Sequence, residues 1–176
     1  MGRKKASLLI SVALSTAILA VAAQLAIPLP TGIPLTLQSF AIAFAGYYLG
    51  ASYGTLSVAV YIALGAMGAP VFTNLSGGFH KFLSLTGGFI WGFLLLALMC
   101  GLGNTKAWSK REALFALLCG ICGVILCHLC GIIQFSALSQ SDPLTAVLIS
   151  SLPYLPKDIL SVIAAYFTAK TVKKRL

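Results

Sequence analysis

Arg3-Lys4-Lys5-Ala6-Ser7-Leu8-Leu9-Ile10-Ser11-Val12-Ala13-Leu14-Ser15-Thr16-Ala17-Ile18-Leu19-Ala20-Val21-Ala22-Ala23-Gln24-Leu25-Ala26-Ile27 stands at the start of the chain. Three bases precede an apolar run of roughly 20 residues, enough to cross a hydrocarbon core of about 30 Å. Basic residues that flank such a run stay on the cytoplasmic side of a membrane. The Ala20-Val21-Ala22 sequence resembles a signal-peptidase site. The apolar run continues past it, beyond the length of a signal peptide's apolar region, so the reading is a retained first helix.

The pattern recurs along the chain. Ten of the twelve Lys and Arg fall in three clusters: Arg3-Lys4-Lys5, Lys106-Lys110-Arg111 and Lys170-Lys173-Lys174-Arg175. Between them, six apolar spans can be placed, at about residues 7–27, 35–49, 55–68, 85–102, 112–138 and 157–170. Four spans separate the first two clusters and two separate the last two, so all three clusters fall on one face. The positive-inside rule makes that face cytoplasmic, with both termini inside. The expected architecture is an all-α polytopic membrane protein of six transmembrane helices, one integral domain over residues 1–176. Only 9% of its 176 residues are charged, against about 25% in a soluble domain. Its net charge of +9 lies mostly beside the spans, where anionic membrane lipids explain it better than nucleic acid.

Four cysteines, Cys119, Cys122, Cys127 and Cys130, form CxxC-x4-CxxC around His128. On one helix, Cys119 and Cys130 are roughly 16 Å apart along the axis. Four sulfurs on one zinc need bonds of about 2.3 Å, so no metal site is expected there. His128 is expected to be a packed or interhelically hydrogen-bonded side chain.

Ionisable and amide groups at membrane depth are functional suspects because burying them is expensive. Asp158, beside Lys157 after Pro156, either caps the last helix or accepts hydrogen bonds from a polar ligand. Asn74, near Ser76-Gly77-Gly78, brings donors and an acceptor to a stretch where backbone can approach a bound molecule. Gln38 must find a partner, either another helix or a ligand. Lys81 either pairs with an anion or is solvated. Ala13-xxx-Ala17 and Ala22-xxx-Ala26 give small-residue faces for internal packing or for a partner subunit. No GxxxxGK[ST], HExxH or GxSxG is present, so uphill transport needs energy from another subunit or an ion gradient.

In order, Pro34-Leu35-Thr36-Leu37-Gln38, Ala45-Gly46-Tyr47-Tyr48-Leu49-Gly50, Gly68-Ala69-Pro70-Val71-Phe72, Thr86-Gly87-Gly88-Phe89 with Gly92-Phe93, and Leu155-Pro156-Lys157-Asp158 form a recognisable series. The chain resembles the BioY family, the biotin-specific substrate-binding subunits of energy-coupling factor (ECF) transporters. The resemblance implies a six-helix S-component bundle in a prokaryotic cell membrane. It implies capture of biotin outside, and partnership with a transmembrane coupling subunit and two ATPase subunits. It implies no cofactor and no enzymatic role. It points to Asn74 and Asp158 as substrate-binding residues, and to Ala13 and Ala17 as the partner-docking face. Two departures stand out. Ser84-Leu85 replaces the family's Gly-Pro, and Pro156-Lys157-Asp158-Ile159-Leu160-Ser161 lacks the family's lysine three residues after the acid. Lys157 or Lys81 is the expected substitute. Phe79, Phe89, Trp91 and Tyr154 are candidate apolar walls. The alternatives are a solitary carrier for another vitamin or small acid, and a membrane thiol or redox enzyme using His128 and the cysteines.

Overall fold

In a computed structural model of the chain, residues 2–29, 33–104 and 110–175 are described. Lys106, one of the second basic cluster, lies outside them. Helices α1 (Gly2–Gln24), α2 (Gln38–Ala66), α3 (Gly87–Leu102), α4 (Lys110–Ser139), α5 (Pro143–Ser150) and α6 (Leu155–Arg175) make up the bundle. Two short strands, β1 (Ala26–Ile27) and β2 (Leu35–Thr36), pair antiparallel, with Ala26 opposite Thr36.

The 29 residues of α2 do not run straight. Gly50 sits at φ 83°, ψ 175°, a conformation essentially restricted to glycine. A Cβ on Gly54 would lie 2.7 Å from the Gly46 Cα. In a continuous helix those residues would be about 12 Å apart along the axis. The helix therefore folds back at Gly50 into two antiparallel halves, and these are the second and third spans of the sequence reading. With α1, α3, α4 and α6, the two halves make the six expected helices among the described residues.

Lys5–Gln24 and Arg111–Ser139 are each long and apolar enough to cross a bilayer alone. Helix α3 is a shorter apolar helix, and α6 meets the same test jointly with α5 across a 52° bend. Leu9, Ile10, Leu14 and Val21 on α1, and Leu114, Leu118, Ile125 and Ile133 on α4, face outward. So much exposed apolar surface would aggregate in water and suits lipid.

Three expectations are corrected. The first span does not remain helical to residue 27: α1 ends at Gln24, and Ala26–Ile27 leave as a strand because β2 supplies their hydrogen-bond partners. The segment before the last span also holds the unforeseen α5, begun by Asp142, whose side chain accepts from Thr145 N, with Pro143 in the first turn. The last span is longer than expected. Helix α6 starts at Leu155 and carries Lys173, Lys174 and Arg175 in its final turn, where cations suit the helix dipole.

The core is built where helices approach closely. Tyr47, Tyr61 and Tyr166 are fully buried, and Tyr47 Oη donates to Ala116 O of α4 at 2.9 Å. A Cβ on Gly88 would lie 2.2 Å from Cys130 O, so the start of α3 lies directly on α4. At the other end of the bundle, Lys173 Nζ donates to Asn104 Oδ1 at 2.5 Å and to Tyr47 O at 3.0 Å. The last basic cluster, the start of the second basic loop and the end of the first half of α2 therefore share one end. Away from that end, Ile33-Pro34, the stretch from Phe72 to Lys81 and the segment from Ser150 to Tyr154 converge on a single cavity.

Candidate functional site

That cavity has a volume of about 260 Å³. All five polar residues singled out from the sequence, Gln38, Asn74, Lys81, Lys157 and Asp158, line it. Of the expected aromatic walls, Phe89 and Tyr154 line the cavity; Phe79 and Trp91 do not and are exposed. Phe93 joins the apolar wall instead.

Gln38 opens α2. Thr36 Oγ1 donates to Gln38 Oε1 at 2.9 Å, Thr73 Oγ1 donates to the same oxygen at 3.3 Å, and Gln38 Nε2 donates to Tyr61 Oη at 2.9 Å. The sequence left open whether this amide serves another helix or the cavity. It does both: Tyr61 lies on the second half of α2 and Gln38 borders the cavity.

Asn74 sits at the tip of a loop closed by the reciprocal bonds Phe72 N to Ser76 O, 2.9 Å, and Ser76 N to Phe72 O, 3.2 Å. Asn74 (φ 60°) and Leu75 (φ 50°) are both left-handed. Asparagine adopts that conformation readily; leucine does so at a cost. The loop is held by Gln24, which sequence reading missed. Its Oε1 accepts from Leu75 N at 2.9 Å, and its Nε2 lies 3.1 Å from Phe72 O and 3.2 Å from Val71 O. The signal was available: Gln24 is an amide inside an apolar span, as Gln38 is. Gln134 of α4 was missed for the same reason. Its Nε2 donates to Phe82 O at 2.6 Å and Ser84 O at 2.8 Å, tying down the segment that carries Lys81.

Asp158 does not cap its own helix with its side chain. Its carboxylate reaches across the bundle. Oδ1 accepts from Ser39 Oγ at 2.5 Å and pairs with Lys157 Nζ; Oδ2 accepts from His128 Nε2 at 3.0 Å. Lys157 Nζ also donates to Thr36 O at 2.8 Å and to Ser39 Oγ at 3.3 Å. One carboxylate thus joins α2, α4 and α6. An ionised carboxylate offers about four acceptor sites, and three are taken here. Ser161, where the family's lysine was expected, is 8% exposed and lies off the cavity. The ammonium near Asp158 comes from Lys157, one residue before the acid instead of three after it.

Lys81 lines the same cavity, and among the described residues its ammonium forms no salt bridge. The four cysteines lie along α4. Cys127 is buried, Cys122 is exposed and the other two are partly buried, so the four do not point one way. Ala13 and Ala17 are exposed on α1 while Ala22 is buried, which rules out internal packing for the first pair and supports it for Ala22.

Residues 2–176 match the model of the BioY family. The chain belongs to the BioY family. This BioY chain is 35% identical over 166 residues to the biotin transporter BioY of Thermotoga maritima, covering 94% of this chain and 95% of that one. It is 32% identical over 162 residues to the probable biotin transporter BioY of Pyrococcus horikoshii, covering 92% and 93%. Its fold is similar to the 2.1 Å crystal structure of the S-component for biotin from an ECF-type ABC transporter. The TM-score is 0.85 at 31% identity, covering 99% of this chain and 94% of that one. The BioY fold expected from short motifs is therefore matched over nearly the whole chain, as a multi-pass membrane protein.

Proposed function

We propose that this chain is the biotin-capturing subunit of an ECF-type transporter in the plasma membrane of a prokaryote. The observation that carries the reading is the convergence of Asn74, Gln38, Lys81, Lys157 and Asp158 on one cavity, in a chain whose curated relatives are named biotin transporters. The chemistry fits. Biotin carries a ureido group with two N–H donors and one carbonyl, an apolar bicycle, and a chain ending in a carboxylate. Asp158 accepts from the ureido N–H groups, Asn74 donates to the ureido carbonyl, and Phe89, Phe93 and Tyr154 supply the apolar wall. Lys81, free of a salt bridge among the described residues, receives the carboxylate, with Lys157 as its partner.

In this reading residues 1–176 form one domain with both termini cytoplasmic and the cavity facing outward. The chain has no P-loop, so a transmembrane coupling subunit and two ATPase subunits supply the energy. The exposed Ala13-xxx-Ala17 face of α1 docks the coupling subunit. The chain binds and delivers; it does no covalent chemistry.

The test is thermal unfolding of the purified protein across a panel of vitamins. A ligand at 100-fold over its Kd adds about 2.7 kcal/mol to stability. Biotin is expected to give that shift. A shift from another vitamin with none from biotin would overturn the assignment. Biotin uptake that persists without functional ATPases would instead favour a solitary carrier.

A further inference from the structure

His128 is 4% exposed and sits on α4, between the binding carboxylate and the break that separates α5 from α6. Its two ring nitrogens have different partners. Nε2 lies 3.0 Å from Asp158 Oδ2, and Nδ1 lies 2.8 Å from Ser151 Oγ. An ionised carboxylate only accepts hydrogen bonds, so Nε2 carries a proton. The neutral tautomer then leaves Nδ1 bare to accept the Ser151 hydroxyl, and both contacts are satisfied. With Lys157 paired to Asp158, this assignment also leaves the buried group of charges balanced. The ring is held in a third direction by Phe89, which meets it edge-on with centroids 5.6 Å apart.

Lys157 and His128 therefore hold Asp158 in different ways. The Lys157 side chain is 22% exposed and has two other acceptors, Thr36 O and Ser39 Oγ. It can leave Asp158 for a ligand without being stranded. The His128 side chain is 5% exposed and fixed at both nitrogens, so it cannot. Ser151 is 5% exposed and does not line the cavity.

We propose that His128 is a positioning residue for ligand capture: steered by Ser151 on Nδ1, it presents Nε2–H to Asp158 and fixes which carboxylate edge faces the cavity. This rests on Asp158 being the biotin acceptor. It assigns a role in affinity to Ser151, a residue outside the cavity.

The test is a double-mutant cycle read by direct titration of the full-length purified protein with biotin. Ser151→Ala is expected to weaken binding about fivefold, the loss of one ordinary hydrogen bond. His128→Leu is expected to weaken it about tenfold or more, since the lost hydrogen bond is to a charged group. Ser151→Ala added to His128→Leu should cost less than about twofold, because its effect runs through the ring. His128→Gln, which can still donate to Asp158, should recover most of the affinity. Equal effects of Ser151→Ala in both backgrounds, or unchanged affinity in His128→Leu, would overturn the proposal. If His128→Leu does not fold, Ser151→Ala and His128→Gln still decide, with unchanged affinity in Ser151→Ala counting against it.

A second measurement needs no ligand. The chain has two histidines, so His80→Gln leaves His128 as the single histidine signal in nitrogen-15 NMR. The expected spectrum has the proton on Nε2 and a hydrogen-bonded bare Nδ1, altered by Ser151→Ala. A proton on Nδ1 with Nε2 bare would overturn the proposal. Failure of the wild-type protein to bind biotin would strike the functional reading instead, and the NMR result would stand apart from it.

Discussion

Ser39 and Asp158, 119 positions apart in the chain, share a hydrogen bond of 2.5 Å from Oγ to Oδ1. It ties the start of α2 to the first turn of α6. The two segments flank the cavity, so the bond fixes both the shape of the site and the direction of its carboxylate.

Asp158→Asn should weaken biotin binding roughly 10- to 150-fold. The substitution keeps the volume but removes the charge. The amide oxygen can accept from the donors on one side only, which leaves the NH2 facing either His128 or the pair of Lys157 and Ser39. Hydrogen bonds to charged groups contribute about 1.5–3 kcal/mol. Isothermal titration measures this directly, and an unchanged Kd would remove Asp158 from the site.

Gln24→Ala should weaken binding about fivefold although Gln24 does not line the cavity. The loop that presents Asn74 is held through Leu75 N and the Val71 and Phe72 carbonyls. Losing one net hydrogen bond costs about 1 kcal/mol. The comparison is with Asn74→Ala. If the loop keeps its geometry without Gln24, only the Asn74 variant will lose affinity.

Tyr61→Phe should lower stability by about 1–3 kcal/mol, because Gln38 Nε2 loses its acceptor in a buried place. Thermal unfolding without biotin reads it. An unchanged midpoint would mean that the amide finds another partner.

Gly50→Ala should destabilise the fold by about 1–3 kcal/mol. Gly50 has φ 83° and ψ 175°, where a side chain is strained. The added Cβ would also lie 3.0 Å from Asn104 Nδ2. The matched control is Gly68→Ala, also at positive φ but with open space around its Cβ. A loss equal to the control's would assign the cost to backbone strain and not to the contact with Asn104, and no loss at all would show that the fold-back tolerates a side chain.

Ala13→Trp and Ala17→Trp separate capture from delivery. Both positions face outward on α1, away from the cavity. Biotin affinity of the isolated chain should not change. Co-purification with the coupling subunit, and uptake that depends on it, should fall sharply. Full complex formation in both variants would move the docking face elsewhere.

The spans and the basic clusters were legible because hydrophobicity and charge are read residue by residue. Parity then placed the three basic clusters on one face, and the structure brings Ile33-Pro34, Phe72 to Lys81 and Ser150 to Tyr154 around one cavity. Gln38 and Asp158 stood out for the same local reason: polar groups in an apolar run need partners. Gln24 and Gln134 carried that signal equally and were passed over. The strand pair was not legible, because Ala26 and Ile27 continue an apolar run and leave the helix only when Leu35 and Thr36 pair with them.

Composition, periodicity and charge order thus determined on their own that this is a six-helix membrane chain, and which polar residues were worth attention. Folding decided the rest: that α2 doubles back at Gly50, that Ala13 and Ala17 face out while Ala22 faces in, and that Asp158 turns from its own helix toward Ser39 and His128. The reason is range. Transfer energy belongs to single residues and is written along the chain, whereas a hydrogen bond between residues 119 positions apart exists only once distant helices have packed.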